Sequence, residues 1–328
     1  MNRLCSIASL AALALAAPLS AQEADKPEYS SPNAIVEAAP ASEWVKITPS
    51  DLLIMELAAD AEGNPRRVVI QLMPPPFSQG WIRNIRKLAE AHWWDGTSIN
   101  RVQDNYVVQW GDETEKKALP DGLETVPESE YTITNLAASK AKTRSVLEHS
   151  ANTPDDWMDW GQQDYDVDSY AGASWWVNGW PIAFRGIRAW PVHCYGALGV
   201  GRNYSPDTGS GAELYTVIGH APRHLDRNIA VVGRVIEGIE YLSSLPRGKG
   251  QLGFYEDAGK RVPITSIRLA TDLPAADQPR FEYLNTEGET FAKYADARAN
   301  RRDPFFIVPA GGADICNVPV PVRRVSGE

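Results

Sequence analysis

Short apolar runs separated by turn-forming residues open the first third of the chain. The runs at 52–57 and 67–72 flank residues 60–65, a segment of turn formers, and together they predict a β-hairpin. Three consecutive prolines at 74–76 then end the second strand. Ser78 is a candidate N-cap for a helix that follows. One face of that helix carries, at helical spacing, Ile82, Ile85, Leu88, Ala89 and His92.

Strand patterns dominate the rest of the periodic sequence. A strand pair is predicted within 97–109, and a short helix at 237–245. Further strands are predicted at 196–200, 213–218, 229–235 and 262–269. Many strands with two helices, and no alternation of strand and helix, indicate a mainly β barrel.

Residues 113–190 interrupt this pattern as a long insertion without a steady period. The segment is acidic around 155–168 and is rich in tryptophan. Its tryptophans are Trp157, Trp160, Trp175, Trp176, Trp180 and Trp190. Two interpretations stay open: the rings pack the insertion onto the barrel wall, or rings and carboxylates grip extended polypeptide chains.

The last segment, 274–328, predicts a C-terminal extension that docks on the barrel. A helix is expected there, with an apolar face made of Phe291, Tyr294, Ala295 and Ala299. Residues 305–308, Phe-Phe-Ile-Val, predict a strand.

The N-terminus has the pattern of a secretory signal peptide at 1–21. Arg3 precedes a short apolar run, and small residues end it at Ala21. The alternative is a membrane helix, but the apolar run is short for a bilayer span. Residues 22–48 are rich in Pro, Ala and Glu and predict a flexible lead-in. The expected location is therefore periplasmic or secreted, without stable membrane insertion.

The net charge limits the classes of binding partner, and the cysteine content allows one disulfide. The net charge of −10 repels phosphate backbones, so no nucleic acid is expected. Beyond the signal segment the chain keeps Cys194 and Cys316. In an oxidising compartment these thiols can pair, and the alternative is two buried free thiols.

Other chemistries find weaker support. His220 and His224 are four residues apart, with His193-Cys194 elsewhere, but Ala221-Pro222 makes the first stretch a turn rather than a helix. We therefore expect no metal site and no cofactor.

Three segments, in order, resemble the cyclophilin family. Residues 67–88 contain RVVIQL and RNIRKL, similar to an early strand and an "ENFRAL" helix. Residues 98–112 read SINRVQDNYVVQWGD, similar to "FHRVIPNFMIQGGD". Residues 211–235 contain GAELYTVIG, HLD and VVGRV, similar to "GSQFFI…LDG…VFGRV". The resemblance implies a closed eight-stranded antiparallel barrel capped by two helices, spanning 49–273 around the insertion.

The resemblance also implies an activity and its residues. Members of the family isomerise peptidyl-prolyl bonds, so proline-containing polypeptides are the expected partners of a chain expected to be monomeric. Arg101 matches the catalytic arginine, and Gln109 the glutamine that supports it. The implied substrate-binding residues are Tyr106, Val107, Glu213, Leu214, Tyr215, His224 and Leu225.

Some positions depart from the family pattern. Asn100 replaces a histidine, Glu213 a glutamine, and Ile229 stands where a pocket histidine often lies. We expect Glu213 either to pair with Arg101 or to favour basic peptides, and His224 to lie at the pocket rim or in a solvated loop. The departures keep an alternative open, in which the barrel is a catalytically weak or inactive scaffold that binds clients.

Overall fold

Eight antiparallel strands close into a barrel in the computed structural model, which describes residues 30–114, 116–134, 136 and 168–325. The predicted signal peptide at 1–21, and Trp157 and Trp160 of the insertion, lie outside these ranges. None of the helices within them is long and apolar enough to cross a membrane.

The strands and helices follow one another in a simple order. The helices are α1 (Pro32–Glu37), α2 (Gln79–Glu90), α3 (Glu240–Ser243) and α4 (Glu289–Ala299). The strands are β1 (Trp44–Lys46), β2 (Leu52–Leu57), β3 (Arg66–Leu72), β4 (Ser98–Val102), β5 (Val107–Gly111), β6 (Ile133–Thr134), β7 (Ala173–Val177), β8 (Trp180–Arg185), β9 (Arg188–Pro191), β10 (Ala197–Val200), β11 (Leu214–Val217), β12 (Val231–Glu237), β13 (Val262–Leu269), β14 (Phe281–Leu284) and β15 (Val322–Arg324).

The barrel confirms the fold class predicted from the sequence. Its strand order is β10-β11-β5-β4-β13-β2-β3-β12, and β12 returns to β10. The predicted hairpin is β2 and β3, paired in one continuous register. Its turn is held by Asp60, whose carboxylate accepts hydrogen bonds from the backbone N–H groups of Glu62 and Asn64, at 3.0 and 2.7 Å.

Helix α2 covers the barrel with the apolar face that the sequence predicts, since Ile82, Ile85 and Leu88 are buried in the main core. The predicted capping role of Ser78 is wrong. Ser78 takes a left-handed conformation (φ 57°), and its side chain makes no cap. Its Oγ instead donates to the carbonyl oxygen of Val231 at 2.7 Å, which ties the start of the helix to the barrel.

The insertion forms a sheet, which the sequence did not predict. Strands β6, β9, β8 and β7 pair antiparallel in that order. Along β8, Ile182 and Phe184 pack into the barrel core, whereas Ala183 between them packs into a second core. Both faces are buried, so the alternation of apolar and polar residues that marks a half-buried strand is absent. The tryptophans 176, 180 and 190 are buried, in agreement with the packing interpretation.

The second core joins the insertion to both ends of the described chain. Trp176 and Trp190 of the insertion pack there with Phe291 of α4, as the apolar face of that helix predicts. The expected flexible lead-in is wrong for residues 30–48, because they form α1 and β1, and β1 pairs with β14. A sheet of β1, β14 and β15 results.

The predicted strand at 305–308 is also wrong. No strand lies there, and the side chains of Phe305 and Ile307 are 84% and 97% exposed. Residues with high strand propensity form a strand only where a neighbouring strand accepts and donates their backbone hydrogen bonds. No described strand pairs with residues 305–308.

A disulfide joins Cys194, just before β10, to Cys316 in the C-terminal extension. This is one of the two states that the sequence left open for these thiols. The two cysteines are 122 residues apart in the sequence, so the bond closes a long loop. It also anchors the extension beside the barrel.

Candidate active site

Three residues on three adjacent barrel strands lie side by side. Arg101 of β4 pairs with Gln109 of β5, and Gln109 pairs with Tyr215 of β11. Directly opposed residues of an antiparallel ladder project to the same face of the sheet, so the three side chains form a row. A register shift between Ile99 and Arg101 sets where the row begins. The row lines a groove of about 780 Å³.

The guanidinium of Arg101 is held from three sides. Its Nε donates to the carbonyl oxygen of Leu252 at 2.7 Å, Nη1 donates to Oε1 of Gln109 at 3.0 Å, and Nη2 donates to Oε1 of Gln103. Among the described residues, three of the five N–H donors of Arg101 are thus engaged, which leaves two for a bound molecule. The group is therefore fixed in direction while it keeps donors free.

The charge of Arg101 lies between aromatic rings. Its guanidinium carbon is 5.8 Å from the centre of the Tyr106 ring and 5.5 Å from that of Phe254. Burial lowers the pKa of Arg101 below its ordinary value, opposed by the electrostatic effect of Tyr106 and Tyr215. Arginine nevertheless keeps its charge at neutral pH because its ordinary pKa is so high.

Glu213 adds a carboxyl group to the groove but does not pair with Arg101. Gln109 stands between them: its Oε1 accepts from Arg101, and its side chain also hydrogen-bonds the carboxyl of Glu213. The predicted direct ion pair is therefore wrong. Gly111 makes room for this carboxyl, since a Cβ at that position would lie 1.9 Å from Oε1 of Glu213.

The environment of Glu213 changes how it titrates. Burial raises its pKa to about 7, against hydrogen bonds from the Gln109 and Asn100 side chains and the Asp112 backbone that lower it. Near neutral pH the Glu213 carboxyl is therefore ionised in some molecules and neutral in the others.

The part of the groove beside Arg101 and Tyr106 is apolar. It is lined by Tyr106, Val107, Tyr215, Leu225 and Ile229. The Tyr215 ring lies flat over β10 because Gly199 has no side chain: a Cβ there would come within 2.3 Å of the ring. This part can accept a small apolar ring, close to the free donors of Arg101.

A buried polar network holds Tyr215 from behind. Its hydroxyl lies 3.0 Å from Nε2 of His193, and Nδ1 of His193 lies 2.9 Å from Oδ1 of Asp226. Burial alone would raise the pKa of Asp226, but His193 and Arg223 hold it below the ordinary value. The ionised carboxylate is an acceptor for Nδ1, and Nε2 lies within hydrogen-bond distance of the tyrosine hydroxyl.

The network continues beyond the barrel. Nε of Arg223 donates to Oδ2 of Asp226 at 2.7 Å, and its Nη2 donates to Oδ2 of Asp168 at 2.6 Å. Asp168 belongs to the insertion, so the wall of the groove is connected to the insertion through buried charges. These contacts also account for His193, which the metal interpretation invoked. Among the described residues no group of three His, Cys, Asp or Glu could hold a metal ion.

Two predicted binding residues lie elsewhere. Leu214 does not line the groove, and its side chain is fully buried in the barrel core. Successive residues of a strand face opposite sides of the sheet, and the neighbours Glu213 and Tyr215 face the groove. Leu214 therefore faces the core. His224 is exposed and stacks on Tyr106, with ring centres 6.1 Å apart. It supports the ring of Tyr106 from outside and does not line the groove.

The sequence missed part of the groove wall. Leu252, Phe254 and Tyr255 line it opposite Gln109 and beside Arg101. Leu252 is 58% exposed and takes a left-handed conformation with φ 55°. The available signal was weak: one leucine inside a glycine-rich stretch at 248–253, followed by Phe254 and Tyr255.

Comparison with known proteins agrees with this geometry. A family model described as cyclophilin type peptidyl-prolyl cis-trans isomerase/CLD matches residues 67–269, more than half of the chain. No curated protein matches the chain. The crystal structure of cyclophilin AquaCyp293 from Hirschia baltica superposes with a TM-score of 0.61 at 22% identity, over 87% of this chain and 94% of that chain. That likeness shows a shared fold.

A second solved structure is a cyclophilin type peptidyl-prolyl cis-trans isomerase from Cryptosporidium parvum, crystallised in the presence of the dipeptide Ala-Pro. It covers 66% of this chain and 98% of its own, at 10% identity and a TM-score of 0.36. A likeness at that level is too weak to support a conclusion.

The buried network predicts a large stability difference between two aspartates. Asp226→Asn removes a buried charge that holds both His193 and Arg223, and we expect a loss of about 3–5 kcal/mol in the free energy of unfolding. Asp104→Asn breaks the exposed ion pair with Arg247 and should cost less than ~1 kcal/mol. Equilibrium urea unfolding measures both, and equal losses would contradict a stabilising role for the network.

The raised pKa of Glu213 predicts a pH-dependent stability. From its ordinary value of 4.5 up to about 7, the folded protein binds a proton that the unfolded chain releases. Stability contributed by the protonated carboxyl is therefore lost as pH rises through this window, by up to ~1.4 kcal/mol per pH unit.

Glu213→Gln keeps the size and hydrogen bonding of the side chain but cannot titrate. We expect the variant to match the parent protein near the acid end of the window and to be the more stable one above neutral pH. Urea unfolding of both proteins across the window checks this. A difference between them that does not change with pH would show that the Glu213 pKa is not raised.

Proposed function

Because the chain belongs to the cyclophilin-type peptidyl-prolyl cis-trans isomerase family, we propose that it catalyses rotation about X-Pro bonds with Arg101 as the donor that stabilises the twisted state. The observation that carries this proposal is the anchored guanidinium of Arg101, with donors free, beside an apolar pocket.

The reaction makes and breaks no covalent bond. Resonance flattens the peptide bond and gives a barrier of ~18–20 kcal/mol to its rotation. At the top of the barrier the prolyl nitrogen regains a lone pair, which the planar ground state lacks. A donor aimed at that nitrogen therefore binds the twisted state more strongly than either planar state, and this difference lowers the barrier.

Arg101 suits that role because its direction is fixed before substrate binds. Leu252, Gln109 and Gln103 hold the guanidinium, so little reorganisation is needed at the transition state. The proline ring would lie against Tyr106, Val107 and Tyr215, and the acyl side of the bond would rotate past the arginine. Gln109 both orients the guanidinium and offers its amide to the substrate backbone.

Glu213 gives the groove a charge that selects among substrates. Its carboxyl lies on the same face as Arg101 but is separated from it by Gln109, so it is not neutralised by the catalytic group. When ionised, it favours a basic side chain near the proline. The groove also carries Lys117 and Leu119 from the start of the insertion, which extend its wall away from the proline pocket.

We further propose that the protein acts on exported polypeptides. The support is the sequence of residues 1–21, which has the pattern of a cleaved signal peptide, together with the disulfide between Cys194 and Cys316. Disulfides persist in oxidising compartments such as the periplasm. The clients are then unfolded or partly folded chains that contain proline.

Arg101→Ala tests the catalytic role. Loss of a positioned donor to a transition state typically costs on the order of a hundredfold or more in rate, and we expect that loss in kcat/KM for a proline tetrapeptide. A protease-coupled assay measures the cis-to-trans rate.

Arg83→Ala is the matched control, because Arg83 is exposed, pairs with Glu124 and does not line the groove; it should leave the rate unchanged. If the Arg101→Ala protein kept its activity, Arg101 would not be the donor. If neither the parent protein nor the control catalysed the reaction, a scaffold that binds clients without catalysis would be the better description, and an assay of aggregation of an unfolded client would test it.

Glu213→Gln tests the substrate preference. Two tetrapeptides that differ only by Lys or Gln before the X-Pro unit should differ about twofold to fivefold in kcat/KM with the parent protein above neutral pH, the size expected for one partly exposed charge pair. The preference should fade below the pKa of about 7 and be absent in the variant. A preference that persists in the variant would assign it to another residue.

A further inference from the structure

A second cavity lies away from the groove, where three parts of the chain meet. It has a volume of about 370 Å³ and shares no lining residue with the groove. Its walls come from barrel strand β12, from the insertion sheet and from the C-terminal extension around Cys316. Hydrophobic side chains such as Trp176, Trp180, Val192 and Val318 form most of the lining. The volume is within the range of sites that hold small molecules.

The charge of this cavity is opposite to that of the protein. The chain has 42 acidic and 32 basic residues. Two of the lining residues are arginines, Arg234 and Arg298, and none of the described lining residues is Asp or Glu. An apolar cavity that carries cations and no carboxylate is suited to an anionic group on an apolar body.

Arg234 is the more enclosed of the two cations. Its Nε donates to Oε1 of Gln71 at 2.9 Å and its Nη1 to the carbonyl oxygen of Gly179 at 2.8 Å. Its Nη2 is shielded from solvent and has no hydrogen-bond partner within the described ranges, where Arg234 also forms no ion pair. Burial lowers the pKa of Arg234 to about 10. Buried charges are normally paired, because removing a charge from water is costly.

Two neighbouring side chains also have buried hydrogen-bond donors without an acceptor among the described residues. The indole N–H groups of Trp176 and Trp180 are buried and have no acceptor among the described residues. The Trp180 ring lies 4.4 Å from the guanidinium carbon of Arg234, which stabilises the cation but supplies no acceptor. Within the described residues, three buried donors of residues that line this cavity thus have no partner: Nη2 of Arg234 and the indole N–H groups of Trp176 and Trp180.

We propose that this cavity binds a small carboxylate with an apolar body, whose carboxylate lies beside Arg234 and whose apolar part packs against the tryptophans and the C-terminal extension. A carboxylate there offsets the desolvation of the guanidinium. The apolar part gains from the hydrophobic walls. The two cavities share no lining residue, so a molecule bound here does not occupy the isomerase site.

Octanoate is the probe, and octanol is its uncharged analogue with the same chain. Isothermal titration of the full-length protein should show binding of octanoate and at least tenfold weaker binding of octanol, since a hydrogen-bonded charge contributes about 1.5–3 kcal/mol. Arg234→Met removes the charge but keeps an apolar chain of similar length. The variant should bind octanoate at least tenfold more weakly and bind octanol as the parent protein does.

Two further variants complete the test. Arg188→Met removes an exposed arginine of β9 that does not line the cavity, and should leave octanoate binding unchanged. Arg298→Met removes the other lining arginine, which is partly exposed and donates to the carbonyl oxygen of Asn317. It should weaken octanoate binding by a smaller factor, and it provides the charge test if Arg234→Met does not fold.

Retained isomerase activity shows that each variant is folded, because none of these arginines lines the groove. Equal affinity for octanoate and octanol in the parent protein would mean an apolar cavity without anion selectivity and would overturn the proposal. No binding of octanoate, or equal octanoate binding by the parent protein and both cavity variants, would also overturn it. Loss of isomerase activity in the parent preparation would bear on the proposed function alone.

Discussion

The buried guanidinium of Arg223 lies where the barrel, the insertion and the C-terminal extension meet. Burial alone would lower its pKa, but the carboxylates of Asp168 and Asp226 outweigh that effect and raise it. Asp168 belongs to the insertion and Asp226 to the barrel, and Asp314 of the extension lies 3.7 Å from Nη1 of Arg223. Buried charges are normally paired in this way, because removing a charge from water is costly. All three parts of the chain therefore contribute a carboxylate to the charge of Arg223.

The same network reaches the groove. Asp226 orients His193, and His193 is hydrogen-bonded to the hydroxyl of Tyr215, whose ring forms part of the apolar pocket. Here the wall is also fixed by directional hydrogen bonds, and the residues that supply them extend outward to the insertion. The insertion thus supports the geometry of the site, besides burying its own tryptophans.

In the groove, the side-chain amide of Gln109 lies between the cation of Arg101 and the carboxyl of Glu213. Gln109 holds Arg101 with its oxygen and also hydrogen-bonds Glu213, so the cation and the carboxyl share a neighbour without neutralising each other. This arrangement keeps the donors of Arg101 free for a substrate. It also leaves the burial of Glu213 uncompensated by a cation, which is why its pKa rises.

The sequence by itself determined the barrel and the central row of the site. Strand periodicity located the barrel strands, and the resemblance of the segments around Arg101, Gln109 and Tyr215 to a known family predicted that these residues share one site; they lie side by side in the fold. The same reasoning failed where neighbours in space decide the outcome. Strand β8 was missed because both of its faces are buried, and Leu214 was assigned to the pocket because a motif does not show which side of a strand faces the groove.

Tertiary structure alone decided the rest. Leu252 and Phe254 reach Arg101 from a segment about 150 residues away, and no local pattern marks that approach. The network through His193, Asp226 and Arg223 depends on distances between side chains that are remote in sequence. Residues 305–308 have the composition of a strand but no partner to pair with. A sequence states which side chains are available; the hydrogen bonds and charges they satisfy depend on what folding brings beside them.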